Sequence, residues 1–97
     1  MFSCRVHEKK GEVLVAACDE SLLDKRLREG ELEFHVSPGF YGGETIGVDE
    51  LRDNLRKASI VNAVGNKVVE ALVEDEIVEE ESIIIFGGVS HAQVVVI

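Results

Sequence analysis

The chain has 97 residues, 45% of them hydrophobic, a single proline and a formal net charge of −9. This length supports one domain, residues 1–97, around one hydrophobic core, and the apolar content excludes a disordered chain. Apolar runs such as Ile83–Phe86 and Val94–Ile97 fall far short of the ~20 residues of a membrane-spanning helix. The residues after Met1 lack the basic-then-apolar order of an export signal, so a cytoplasmic location with no membrane partner is expected.

The acidity is partly local. Six of the nineteen acids lie in Glu74–Glu81, and the rest of the chain carries ten basic against thirteen acidic residues, a balance of −3. Either figure has the wrong sign for a protein that grips phosphate backbones without selectivity, so non-specific nucleic-acid binding is not expected.

In chain order, residues 2–7 and 12–18 alternate as two strands joined through Glu8-Lys9-Lys10-Gly11. The predicted register pairs Cys4 with Val15 and His7 with Glu12. It places Phe2, Cys4, Val6, Val13, Val15 and Ala17 on one face and Cys18 on the other, so both cysteines are expected as free thiols. Ser21 with Asp24, the Leu23/Leu27 pair and Gly30 then predict a helix with a glycine stop. Glu31–Val36 alternates as a strand with one wet face.

Residues 37–47 hold four glycines and the proline, which predicts a loop; they also carry Phe40 and Tyr41, two of the five aromatics. Val48, Leu51, Leu55 and Ala58 predict a helix over 48–58. Ser59–Val64 is read as a short helical turn stopped at Gly65. No turn residue separates it from the preceding helix, and Asn62 is poor in a strand centre. A further helix is predicted over Lys67–Glu74. Ser82–Phe86 and Ala92–Ile97 are predicted as central strands joined through Gly87-Gly88-Val89-Ser90-His91. The sum is an α+β fold: a mixed or mainly antiparallel sheet of about five strands, with helices on one face and strand order left open.

Three segments, Phe40-Tyr41-Gly42-Gly43-Glu44, Asn62-Ala63-Val64-Gly65 and Gly87-Gly88-Val89-Ser90-His91-Ala92-Gln93-Val94-Val95, resemble in order and spacing a family of small archaeal proteins grouped as a domain of unknown function. The resemblance spans nearly the whole chain. It implies an archaeal cytosolic protein whose acidic excess suits concentrated internal salt, and it transfers no activity and no site residue. Ser90 stands where the family pattern has a proline.

The chemistry-bearing residues are few. Phe40, Tyr41, Gly42 and Gly43 could present rings to a base or partner, or pack as an ordered loop on the core. No lysine or arginine lies in 37–47 and Glu44 would repel an anion, so a phosphate cradle is disfavoured. His91 follows the Gly87-Gly88 turn and could act as a general acid or base. Ser90 beside it should point to the opposite face and so does not form a nucleophile–base pair with it. His7, His35, His91 and Cys18 show no metal-ligand spacing, so no metal or cofactor is expected. Arg52, Arg56 and Lys57 share a helix with Asp49, Glu50 and Asp53, the pattern of a solvated, ion-paired face.

The function itself is not specified by these features. The expected role is a non-enzymatic binding or interaction domain for an unknown protein or small ligand, using Phe40, Tyr41, Gly42, Gly43 and Glu44 together with Gly87, Gly88 and His91. The alternatives are a small-ligand protein or enzyme with His91 as acid/base at that surface, and an RNA-associated accessory protein.

Overall fold

Alternation at the start of the chain builds the first hairpin. In the computed structural model, which describes residues 1–96, β1 (Phe2–Lys9) and β2 (Glu12–Asp19) pair antiparallel. Ile97, assigned above to the last strand, lies outside the described residues. The register differs from the predicted one by two: Cys4 faces Ala17 and Lys9 faces Glu12. Lys10 and Gly11 are both left-handed, with φ of 52° and 82°. They form the two-residue turn that matches strand twist, in place of a four-residue connection. A shift of two keeps every side chain on its face. Cys4 accordingly shares a core with Phe2, Val15 and Ala17, while Cys18 lies in a second one; both thiols are buried and free.

The helix predicted over 21–30 does not form. Glu20–Leu22 makes one 3-10 turn, Asp24 is left-handed at φ 68°, and β3 (Arg26–Glu29) pairs with β4 (Leu32–His35) as a separate two-stranded sheet. Local helix signals lose here to tertiary pairing. As a strand, Arg26 and Arg28 both reach Glu33, at 3.0 and 2.9 Å, and Leu27 sits opposite Phe34 on the core. The predicted loop at 37–47 contains a helical turn, α1 (Pro38–Tyr41), and an edge strand, β5 (Glu44–Ile46). The helices α2 (Val48–Lys57) and α3 (Asn66–Glu74) lie where their apolar spacing placed them.

Between those helices runs a strand, β6 (Ile60–Val64), where a helical turn was predicted. Two side chains account for it. The Ser59 amide donates to the Val13 carbonyl and the Val13 amide donates to Ser59 Oγ, both at 2.8 Å, so the chain turns without glycine or proline. Asn62 is tolerated mid-strand because its Oδ1 accepts from Tyr41 Oη at 2.6 Å. The last hairpin is β7 (Ile84–Phe86) and β8 (Val89–Val95).

The main sheet has six strands in the order β5-β1-β2-β6-β8-β7, one more than expected. β2 and β6 are parallel and the other neighbours antiparallel. β7 is an edge strand and not the central one predicted, with Ile84 68% and Ile85 57% exposed. Helices α2 and α3 cover one face, packing Leu51, Leu55, Val68 and Leu72 with Phe2, Val15, Val61 and Ala92. The β3–β4 hairpin and α1 cover the other, where Val36 and Tyr41 meet Ala16, Cys18 and Val64.

Asp19, at the end of β2, caps α3: its carboxylate accepts from the amides of Lys67 (3.1 Å) and Val68 (2.9 Å). This satisfies helix-end donors from outside the helix. Gly65 makes the approach possible, since at φ 133° a Cβ there would lie 2.5 Å from Asp19 Cγ. Gly65→Ala should therefore destabilise the fold by about 1–3 kcal/mol in urea unfolding. Gly39→Ala, where the added Cβ meets only Ser37 Oγ at 3.6 Å, should stay within about 0.5 kcal/mol of the parent.

Candidate functional site

Ser3, Arg5 and His7 alternate along β1, on the face opposite Phe2 and Cys4. Each donates to a carbonyl of the α1 segment: Ser3 Oγ to Tyr41 (3.0 Å), Arg5 Nη1 to Gly39 (3.2 Å) and His7 Nε2 to Phe40 (2.9 Å). The Phe40 ring stacks on His7 at 5.0 Å and meets Tyr41 edge-on at 4.9 Å. The turn is thereby strapped across the sheet, and Tyr41 is driven into the core, 3% exposed.

The Tyr41 hydroxyl emerges at Asn62 on β6. Asn62 faces Gln93 across the β6–β8 ladder, and Val64 faces His91. Tyr41, Asn62, His91 and Gln93 thus meet in a cleft of about 240 Å³, walled by Phe34, Ser82, Ile84 and Ala92. No Asp, Glu, Lys or Arg lines it.

His91 packs edge-on against Phe34 at 5.0 Å and Phe86 at 6.0 Å. Burial holds its pKa below the ordinary 6.5, against a backbone hydrogen bond with Phe86 that pulls the other way. Its Nε2 is buried and has no hydrogen-bond partner among the described residues. A neutral ring protonated on Nδ1 leaves that nitrogen an acceptor, and one protonated on Nε2 leaves it a donor. The Oδ1 of Asn62 is taken by Tyr41, which leaves the Nδ2 protons as donors at the cleft. Burial, reinforced by neighbouring Cys18, pushes the Tyr41 pKa to about 12, so the hydroxyl stays a donor at neutral pH.

Over residues 7–97 the chain matches the family described as "Protein of unknown function (DUF424)". The chain belongs to that family. It is also similar to the crystal structure of an uncharacterized conserved protein from Methanopyrus kandleri. The two are 25% identical, with a TM-score of 0.80 over 99% of this chain and 93% of that one. No curated protein matches it. The resemblance seen in three sequence segments is therefore to the right group, and the fold is shared with an archaeal neighbour.

Within this DUF424 fold the other candidate residues go elsewhere. Phe40 lies on His7, outside the cleft. Gly42 and Gly43 are pressed against backbone, where a Cβ would meet the Pro38 and Cys4 carbonyls at 2.5 Å; they let the strap lie flat. Gly43 and Glu44 line a different cleft of about 330 Å³ with Cys4, Arg5, Glu50 and Asn54. Burial raises the Cys4 thiol there, a hydrogen bond from Asn54 opposes this, and Glu44 and Glu50 add to the rise. The group remains a thiol and a weak nucleophile.

Gly87 and Gly88 form a turn docked on β3, with the Gly87 amide donating to Glu29 at 3.1 Å. Ser90 points to the helix side: its amide donates to Asn66 Oδ1 and its carbonyl accepts from Gly65. His35 pairs with Asp24 at 2.7 Å. Among the described residues no group of three or more His, Cys, Asp or Glu is arranged to hold a metal ion. Arg52 is bonded to Glu74 and Asp75, and Arg56 to Asp53.

Tyr41 is the sole tyrosine, so tyrosinate absorbance reports this site alone. The native protein should ionise near pH 12 and the unfolded chain near 10. Because the folded pKa is raised, the unfolded chain gives up the proton first, and folding stability should fall between pH 10 and 12. A native midpoint near 10 would put the hydroxyl in water and break its link to Asn62.

Proposed function

We propose that this chain is a cytoplasmic binding protein whose cleft between Tyr41, Asn62, His91 and Gln93 takes a small, neutral, planar polar molecule such as a heterocyclic base or an amide. One observation carries the reading: a buried ring nitrogen, Nε2 of His91, stands without a partner beside an amide whose orientation is held by Tyr41, and in the ring protonated on Nδ1 that nitrogen is an acceptor. Unpaired buried polar atoms are rare and cost about 1–3 kcal/mol, a cost that a ligand N–H would remove. A ligand carbonyl would meet Asn62 Nδ2, and the amide of Gln93 can serve either role. Phe34 and Ile84 supply apolar walls for a flat ring. A cleft of about 240 Å³ lies below the ~300–1,000 Å³ of drug-sized ligand pockets, so the ligand is small. The uncharged lining selects a neutral one. The two free cysteines fit a reducing compartment.

Binding is favoured over catalysis because His91 is the one group in the cleft positioned to exchange a proton near neutrality. Tyr41 stays protonated to about pH 12, Ser90 serves the opposite face and Glu44 lines another cleft. The RNA reading loses support because Arg52 and Arg56 are held in ion pairs.

The test is an amide-resolved NMR titration with uracil, cytosine, adenine and benzamide at millimolar concentration. At least one should shift Asn62, His91 and Gln93 together. In His91→Phe, which keeps an aromatic ring but removes the acceptor, affinity should drop about ten-fold or more while stability holds or rises. Silence from all four probes, or shifts centred on Cys4 and Glu44, would defeat the proposal.

A further inference from the structure

The edge strand β7 combines three features that the cleft does not use. Its backbone has a free side. Phe86 and Val89 flank the two-residue turn Gly87-Gly88 and form the first hydrogen-bonded pair, as does Ile84 with His91. Ile85 lies between them, so its N–H and C=O point away from β8. The alternation is consistent with Ser90, opposite Ile85, whose own backbone groups bond outward to Gly65 and Asn66. An unpaired edge of this kind is a template for another strand.

Beside that edge, on the helix side, lies an apolar groove of about 370 Å³ lined by Val69, Val73, Ile83 and Ile85, with Glu70 and Glu80 on its rim. Glu79 and Glu81 stand next to it around a second, acidic hollow. Among the described residues none of Glu70, Glu79, Glu80 and Glu81 is in an ion pair. Such a rim repels a second copy of the chain, since pairing β7 with β7 would bring both sets of carboxylates together. It suits an occupant of opposite charge.

We propose that the β7 edge is a docking site for an extended, lysine- or arginine-bearing segment of a partner protein, added to the sheet as a further strand. Ile85 would supply the backbone hydrogen bonds. Alternate apolar side chains of the segment would enter the groove, and its cations would meet the glutamate rim, the usual division of labour in strand addition.

The probes are two synthetic peptides of equal length, one alternating valine with lysine and one alternating valine with glutamate, titrated into the full chain at low salt. The lysine peptide should bind, shift the Ile85 amide and slow its hydrogen exchange, and weaken as salt rises. Ile85→Pro removes the outward N–H without touching the ladder to β8, and should weaken binding about ten-fold, the worth of one backbone hydrogen bond. A Glu70→Gln/Glu80→Gln variant, on the surface and unthreatening to the fold, should also bind less tightly and lose most of the salt dependence. Equal binding of the glutamate peptide, no binding of the lysine peptide, indifference to both variants, or a dimer closed through β7 would each overturn the assignment.

Discussion

A single buried ring ties the α1 turn, strapped on β1, to the middle of β6. Tyr41 sits at the end of a four-residue helical turn whose carbonyls are held by Ser3, Arg5 and His7, and its hydroxyl is bonded to the middle of β6. Truncating a ring so placed costs about 3–5 kcal/mol, a large share of the ~5–15 kcal/mol that holds a typical domain together. The hydrogen bond solves a second problem as well. Without it Asn62 would be a half-buried polar side chain placed mid-strand, with its carbonyl unsatisfied.

The site follows from how unevenly the second layer covers the sheet. On the helix side, α2 and α3 bury a continuous apolar surface from Phe2 across to Ala92. On the other side, a two-stranded hairpin and one helical turn leave the β6–β8 region open. The polar residues at that opening are Asn62 and His91, both half-buried, and the exposed Gln93. Tyr41 holds the Asn62 carbonyl, and burial lowers the His91 pKa. On the proposed reading the cleft then has opposite polarity at neighbouring points, a pattern that would suit a flat amide or base edge.

The parts of the fold legible in the sequence were those governed by short-range periodicity. The two stripes of the first hairpin and the helices at Val48 and Asn66 read correctly, since a two-residue slip in register leaves faces unchanged. The last hairpin was found, but its turn is Gly87-Gly88 alone, and Val89, Ser90 and His91, assigned to the connection, begin β8. The misread parts depended on partners far along the chain. Leu23 and Leu27 look helical until Phe34 is brought opposite Leu27 and Glu33 opposite Arg28. β6 looks like a helical turn because its boundary is made by Ser59 reaching Val13 and its polar centre by Tyr41. Composition alone made 37–47 a loop and hid the helical turn within it.

The candidate site was legible in the same uneven way. Tyr41 and His91 were singled out and do share a cleft, but Tyr41 contributes a hydroxyl from a buried ring, not an exposed aromatic surface. Asn62 and Gln93 were not proposed as site residues, although both fall inside the segments that carry the family resemblance. Their juxtaposition is a property of the β6–β8 register, which no local pattern encodes. The role of the unpartnered His91 Nε2 is tested most directly by the ring tautomer, read from long-range nitrogen–proton correlations at neutral pH. A neutral ring protonated on Nδ1 is expected if that nitrogen is the acceptor. A ring protonated on Nε2, or charged, would turn that acceptor into a donor and contradict that role.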